Sequence, residues 1–550
     1  LRKLIVPICV LAFFATAAEA FAELDCAPLK TVPVMGEGGL KPLDTFAREF
    51  AVRVAGRESH AGLDHMQLLL AFLLDPEKTC KEPLVYVGSG MLREKLALPA
   101  ERTHFAFSEI VASHRLSNLL AGRGLSAEEI QMRDDAAELA TALGAIAALP
   151  HRLRVVPPSG DSDNWLSLFE IKDSQDPAHV KVRAAFDAMR KAYAGNDREE
   201  FLSAGRDFAA ALKAVNPGRW PRESLMSLEA LNNEVRPLEK AWILYFAGVA
   251  VAGLLFLLAK GRLRWLPLAA VICALLLHAF GIAVRALAAG RAPLGDMYES
   301  VVFTAWVISL LGLIAALAFR RIYFAWIGAV MAGAALLAAE LLPGGSAAQP
   351  VALVLRNDFW LTVHVATVLL GFGAFALAAG AAHYAWGVYC FKASNETLFN
   401  SLSSFIRRVI KAGVVFLIAG TVMGGFWASE AWGRFWGWDS KESWALITIL
   451  IYMIVLHARS CGWLREFGMV LGAMWGFLVV LMTWYGVNYI LGVGLHSYGF
   501  GRGGDVVVLL IAVAEIVLIF AASSLRASRI ANALQAGQPL GENGNESAVK

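Results

Sequence analysis

The chain has 550 residues, 57% of them hydrophobic and 17% charged, with a formal net charge of +3. So small a charge, without a basic stripe or stacking motif, excludes nucleic acid as a partner. The averages also hide two unlike halves: residues 23–238 are charge-rich with short apolar runs, and from Ala241 onward long apolar stretches alternate with short polar loops. This contrast predicts a polytopic α-helical membrane protein of about nine transmembrane helices, with an N-terminal, mainly helical extracytoplasmic domain.

In chain order, Arg2-Lys3, an apolar run from Leu4 to Ala17 and the small-residue sites Ala18-Glu19-Ala20 and Ala20-Phe21-Ala22 make residues 1–22 a signal peptide or an uncleaved signal anchor. Either reading places 23–238 outside the cytoplasm. Cys26 and Cys80 are the only cysteine pair of that domain. An oxidising compartment favours a structural disulfide between them over a redox role, since they lack the compact Cys-x-x-Cys form. Ser126 and Glu129 suggest a capping box ahead of an Ala/Leu-rich helix, Asp176-Pro177 starts a helix toward Ala194, and a third runs from Asp197 to about Val215. Leu84-Val85-Tyr86-Val87 is the best strand signal. His60, His65, His104, His114, His151 and His179 are scattered without metal-ligand spacing.

The spans are expected near 241–259, 265–285, 301–319, 322–340, 358–391, 409–426, 443–460, 467–490 and 505–524. The loops at 260–264, 320–321, 392–408 and 461–466, and the tail 526–550, carry the excess of Lys and Arg that marks the cytoplasmic side. The opposite face then holds the loop 286–299, the start of the fifth span, the segment 427–445 and the region of His496.

Segment 427–445, WASEAWGRFWGWDSKESWA, places five tryptophans between two spans. Interleaved with Gly433 and Gly437, it reads as a loop lying flat against a planar ligand. His364, just inside the fifth span, and His496, just after the eighth, should lie at the same level. Either one alone would read as a polar interfacial residue; together beside the loop they suggest the axial ligands of a haem held edge-down. His457 lies roughly 20 Å below the outer start of the seventh span and is a candidate ligand for haem in transit. His278 is balanced between that role and a hydrogen bond between helices, and His383 reads as structural. Asp439 either orients a ligand histidine or, more simply, caps the seventh span. Arg434 is either a partner for a haem propionate or a surface arginine.

The run from Trp432-Gly433-Arg434-Phe435-Trp436-Gly437-Trp438-Asp439 to Leu456-His457-Ala458-Arg459 closely resembles the tryptophan-rich "WWD" signature of System II cytochrome c synthetases, the CcsA/ResC-type haem-handling proteins. Gly290–Leu294, Met297–Ser300 and Gly494–Tyr498 resemble that family too, so the likeness covers roughly residues 241–525. It implies that the loop holds haem b on the outer face of a bacterial inner (cytoplasmic) membrane, with Trp432, Trp436, Trp438 and Asp439 in the binding site. It further implies His364 and His496 as iron ligands, and His457 as the intramembrane transit site. The implied activity is that of a holocytochrome c synthase (haem lyase), joining haem vinyl groups to Cys-x-x-Cys-His motifs of apocytochromes c; no residue stands out as a general acid or base.

In fused synthetases of this family a ResB/CcsB-like part precedes the region. Here Gly39–Ala47 and Leu231-Asn232-Asn233-Glu234 look like the stretch that links the two parts, so a separate ResB/CcsB-like membrane partner is expected, along with thiol-reducing factors and membrane lipid. The rival readings are a haem exporter or chaperone that delivers haem without ligation, and a b-type redox membrane subunit.

Overall fold

The computed structural model describes residues 25–36, 39–112, 115–121, 127–160, 163–258, 265–340, 358–391, 395–491 and 505–535. The signal segment, Ser126 of the suggested capping box, His114, the loop 260–264 and His496 lie outside these residues. The chain divides into two compact units, Leu1–Val235 and Arg236–Lys550.

The first unit is helical with three small antiparallel hairpins. Strands β1 (Pro33–Gly36) and β2 (Gly39–Pro42) pair with Val34 opposite Lys41. Helix α1 (Leu43–Ala55) buries Leu43, Ala47, Phe50, Ala51 and Val54, the spacing of one helical face. Helix α2 (His65–Leu74) is apolar on nearly every side and buried on most of it, and a capping box between Asp64 and Gln67 starts it. Val85–Tyr86 pairs with His104–Phe105, and Arg154–Val156 with Leu166–Ser167. Helix α3 runs over Ala127–Ala147. Helices α4 (Pro177–Ala194) and α5 (Arg198–Val215) begin at Asp176 and Asp197, whose carboxylates accept from Ala178 N and Glu200 N. Helix α6 (Glu223–Val235) closes the unit.

Two sequence stretches far apart in the chain meet here. The Asp44 carboxylate is buried, and it accepts from His65 Nε2 at 2.8 Å, Asn233 Nδ2 at 2.9 Å and Arg48 Nε at 3.0 Å. Asn233 also donates to Thr45 Oγ1, which donates to Glu229 Oε1. The network ties α6 to the start of α1. The disulfide expected between Cys26 and Cys80 is not formed in the structure. Burial pushes the Cys26 thiol up to about 12 and raises that of Cys80, so neither is a ready thiolate.

The described residues of the second unit contain nine helices long and apolar enough to cross a membrane, as expected of a multi-pass protein. They are α7 (Pro237–Leu258), α8 (Trp265–Ala289), α9 (Met297–Ala318), α10 (Tyr323–Glu340), α11 (Ala366–Phe391), α12 (Glu396–Trp432), α13 (Ser440–Ser460), α14 (Glu466–Leu481), which is long enough together with the π-helical segment Met482–Leu491 that continues it, and α15 (Asp505–Gln535). One core, around Tyr245, Val271, Val302 and Ala332, unites α7 to α10; a larger one, around Phe324, Phe375, Phe405, Tyr452 and Phe467, unites α9 to α15. Helix α11 is the hub and is mostly buried, whereas most of α15 lies on the surface of the bundle. Its Gly- and Ala-rich middle lets neighbours approach closely, as in membrane bundles.

The sixth span differs from expectation. It is one helix of 37 residues from Glu396, so most of the expected loop 392–408 is helical. Phe399, Leu402, Phe405 and Ile406 recur on one buried face, and Asn395 caps the start by accepting from Leu398 N. The charges of Arg407 and Arg408 interrupt the apolar run without interrupting that face.

Candidate functional site

The tryptophan loop is a tight connection between α12 and α13. Asp439 caps α13 with a full capping box: its carboxylate accepts from Glu442 N at 3.0 Å, and Glu442 accepts from Asp439 N. Glu442 also accepts from Gly437 N at 2.7 Å and pairs with Arg434 at 3.4 Å. The guanidinium in turn lies 6.0 Å over the Trp432 ring. A Cβ on Gly437 would fall 1.5 Å from Arg434 Nη1, so only glycine allows this closure. Asp439 is therefore a helix cap, and Arg434 is held within its own loop.

The five indoles do not form one flat platform. Trp436 and Trp438 meet at 87° with centroids 5.7 Å apart, and Trp438 is 71% exposed. Trp427 is buried near His364, their rings 5.7 Å apart at 65°. The loop instead closes a cavity with Trp427, Phe435 and Trp436.

His364 lies in a π-helical turn, Leu361–Val365, just before α11. Such turns recur at functional sites because they re-aim a side chain within a helix. Its Nδ1 is 2.8 Å from the Gly420 carbonyl, which can only accept, so Nδ1 carries the proton and Nε2 the lone pair. A Cβ on Gly424 would come within 2.6 Å of the imidazole Cε1, so this glycine makes the seat for the ring.

The cavity encloses about 180 Å³ between His364, α12, the tryptophan loop, the start of α13 and a second π-helical segment, Met482–Leu491. That is below the roughly 300–1,000 Å³ of pockets that swallow whole ligands. The wall is mostly apolar, with Val368, Phe372, Leu417 and Trp484 prominent. Trp484 Nε1 donates to Ser300 Oγ at 3.0 Å, and Lys441 Nζ donates to Asn488 Oδ1 at 3.3 Å.

Leu294, Gly295 and Asp296 close one side. Their loop is pinned by the fully buried Glu299, which accepts from Arg285 at 2.9 Å, Arg291 at 2.8 Å and Gly295 N at 2.7 Å. Asp296 caps α9 by accepting from Glu299 N and faces Arg285 at 3.7 Å. Two acids and two arginines balance, which is what makes such burial tolerable.

The remaining histidines separate cleanly. His457 is exposed on the bundle surface in the last turn of α13, its Nδ1–H donating to Met453 O at 2.8 Å. His278 is fully buried and bonded between helices, to Val302 O at 3.0 Å and toward Tyr245 OH at 3.4 Å. His383 joins Glu515 of α15 at 2.7 Å and donates to Ala379 O. His496 lies outside the described residues. Among the described residues no cluster of three or more His, Cys, Asp or Glu has the arrangement of a metal site.

Sequence reasoning passed over Lys441, Asn488, Trp484 and the Glu515 partner of His383. A lone acid within the apolar run of α15 was signal enough for the last, because a carboxyl at that depth needs a partner. The cavity members carry no such signal; they come together only by packing.

Comparison with known proteins bears on this arrangement. The family described as Cytochrome C assembly protein matches residues 294–496, which span the cavity and the tryptophan loop. Protein NrfI of Wolinella succinogenes is 30% identical over 505 residues, covering 84% of this chain and 53% of that protein. Cytochrome c biogenesis protein CcsA of Chlamydomonas reinhardtii is 36% identical over 223 residues, 38% of this chain and 62% of that protein. CcsA of Nicotiana tomentosiformis is 31% identical over 256 residues, 40% of this chain and 80% of that protein. The chain thus spans about half the length of NrfI and most of the Nicotiana CcsA. It belongs to the CcsA-type cytochrome c assembly family.

Proposed function

We propose that this protein serves cytochrome c biogenesis by holding haem b at the outer face of the bacterial inner membrane and attaching it to Cys-x-x-Cys-His motifs of apocytochromes c. The observation that carries the reading is His364: its Nδ1–H is tied to Gly420 O, and its ring lies in the wall of an apolar, tryptophan-rich cavity. A histidine whose tautomer is fixed by a backbone carbonyl is the usual form of an iron ligand. The residues suit the group: an oriented imidazole, an apolar wall and a cavity that accepts one edge. His496 supplies the second axial ligand, which the histidine of the apocytochrome motif displaces.

The chemistry asked of the enzyme is positioning. Each thiol adds across a vinyl group: a carbon–sulfur bond forms, the thiol proton ends on the neighbouring vinyl carbon, and no electrons are exchanged overall. That balance needs reduced thiols, hence thiol-reducing factors, but no general base within the cavity. His457, exposed on the bundle surface, is the transit site and is completed by a ResB/CcsB-like membrane component. The b-type redox reading gains nothing from His383, whose two ring nitrogens are already bonded.

The test is co-expression with a ResB/CcsB-like partner and a c-type apocytochrome, in a host lacking its own maturation system. Haem staining that survives denaturation is expected. Haem co-purifying with the protein and no covalent product would assign it to delivery alone. His364→Gly should lose haem and regain it with added imidazole; unchanged haem content would remove His364 from the site.

A further inference from the structure

Lys441 places an ammonium in the wall of an otherwise apolar cavity, and three observations say that an anion belongs beside it. First, Nζ donates to the neutral Asn488 side chain; among the described residues no carboxylate lies within ion-pair distance of it, and Asp439 attracts it only from farther off. The acids lining the cavity or close to it make their hydrogen bonds elsewhere. Asp439 caps α13, Glu442 binds Gly437, Asp439 and Arg434, and Asp296 caps α9 and faces Arg285. Second, Lys441 stands in the first turn of α13, where the helix end carries partial positive charge. A cation there is disfavoured unless an anion offsets it. Third, Trp436 lines the same cavity, and its Nε1–H is buried with no hydrogen-bond partner among the described residues. A buried donor without an acceptor is costly and uncommon.

One carboxylate answers all three, because it brings negative charge and several acceptor sites to a cation, a helix N-terminus and an orphan N–H. We propose that Lys441 and Trp436 form the seat of a ligand carboxylate, and that this carboxylate is a haem propionate, so that haem enters the cavity propionate edge first. The proposal rests on the haem reading above. It adds an orientation with a chemical consequence. The vinyl groups lie on the edge opposite the propionates, so they stay at the mouth, where the thiols of an apocytochrome reach them. The limited volume of the cavity agrees, since it takes one edge and leaves the other outside.

The experiment compares haem with its dimethyl ester, in which both propionates are blocked, by absorption titration of the detergent-purified full chain. The wild-type protein should bind haem at least about tenfold more tightly than the ester, the scale of one charge-assisted hydrogen bond. Lys441→Gln should abolish most of that preference and Lys441→Arg should keep it, both with an unchanged Soret position because His364 is untouched. Trp436→Phe, which keeps the ring and removes the N–H, should lose about three- to tenfold in haem affinity. Equal binding of haem and ester by the wild type would overturn the proposal, as would an undiminished preference in Lys441→Gln. Binding of neither by the wild type would bring down the haem reading itself, a different result from binding without preference. The wild-type comparison needs no variant to fold.

Discussion

At the scale of single residues, what decides the site is how closely side chains are allowed to approach. His364 keeps its tautomer only while its ring reaches the Gly420 carbonyl, and it reaches it across the bare backbone of Gly424. In Gly424→Ala the new methyl would meet Cε1 at 2.6 Å and Nδ1 at 3.0 Å, so the ring must turn away and its hydrogen bond must break. Loss of such an orienting partner weakens metal binding by about 10–100-fold. We expect that loss in haem titrations of Gly424→Ala, with expression and melting temperature changed far less. Wild-type affinity would mean that the ring has another way to seat. His364 itself was legible in the sequence, as a histidine at the mouth of a span level with the tryptophan loop. Gly424 was not, because one glycine in an apolar helix looks like any other until the neighbouring helix is in place.

Among the elements, the tryptophan loop and the last span show two ways in which polar groups organise apolar ones. Glu442 gathers Gly437, Asp439 and Arg434, so the loop is folded around one carboxylate rather than around its indoles. Asp439→Ala removes half of the capping box, at a cost of about 1 kcal/mol to the start of α13. Its expected signature is faster limited proteolysis within 433–439, with the spans still intact. Helix α15 has little buried surface and is held to α11 by His383–Glu515. Removing one partner of a buried pair costs roughly 3–5 kcal/mol, and the third of the His383 side chain left exposed puts this pair at the low end. Glu515→Leu should lower the melting temperature in detergent, and His383→Leu combined with it should recover part of the loss. Additive losses in the double variant would show that the two residues do not act together. Spans and caps could be read in advance, since hydropathy and Asp-x-x-Glu spacing are local. The π-helical turns and the cross-helix pair could not, because they depend on what the helix packs against.

The two units of the molecule were visible as a change in composition near residue 238, because burial in lipid and burial in a water-surrounded core demand different residues. What composition did not show is how the first unit is wired internally. Its histidines looked scattered, yet His60 and His104 stack with centroids 3.7 Å apart, and His65 bonds Asp44. This wiring gives the first unit a defined response to pH. Burial, with the neighbouring His104 and Arg57 adding to it, lowers the His60 pKa from its ordinary 6.5 to about 4, and His104 is lowered by burial as well. For Asp44, burial opposes ionisation, but hydrogen bonds from His65, Asn233 and Arg48 outweigh it and hold the carboxyl well below its usual 3.8. A histidine with a depressed folded pKa binds its proton more readily in the unfolded chain, so its contribution is complete above pH 6.5 and declines as pH falls toward 4. Asp44 has the same sign in a lower window, its contribution being lost only as pH drops below 3.8. Thermal melts of a 25–235 fragment should therefore be flat above neutrality, slope downward between pH 6.5 and 4, and fall again below that. His60→Gln should flatten the first slope and leave the second, and Asp44→Asn should do the reverse while lowering stability at neutral pH. A melting temperature that rises on acidification from pH 6.5 to 4 would contradict the neutral, stacked imidazole pair on which the first slope depends.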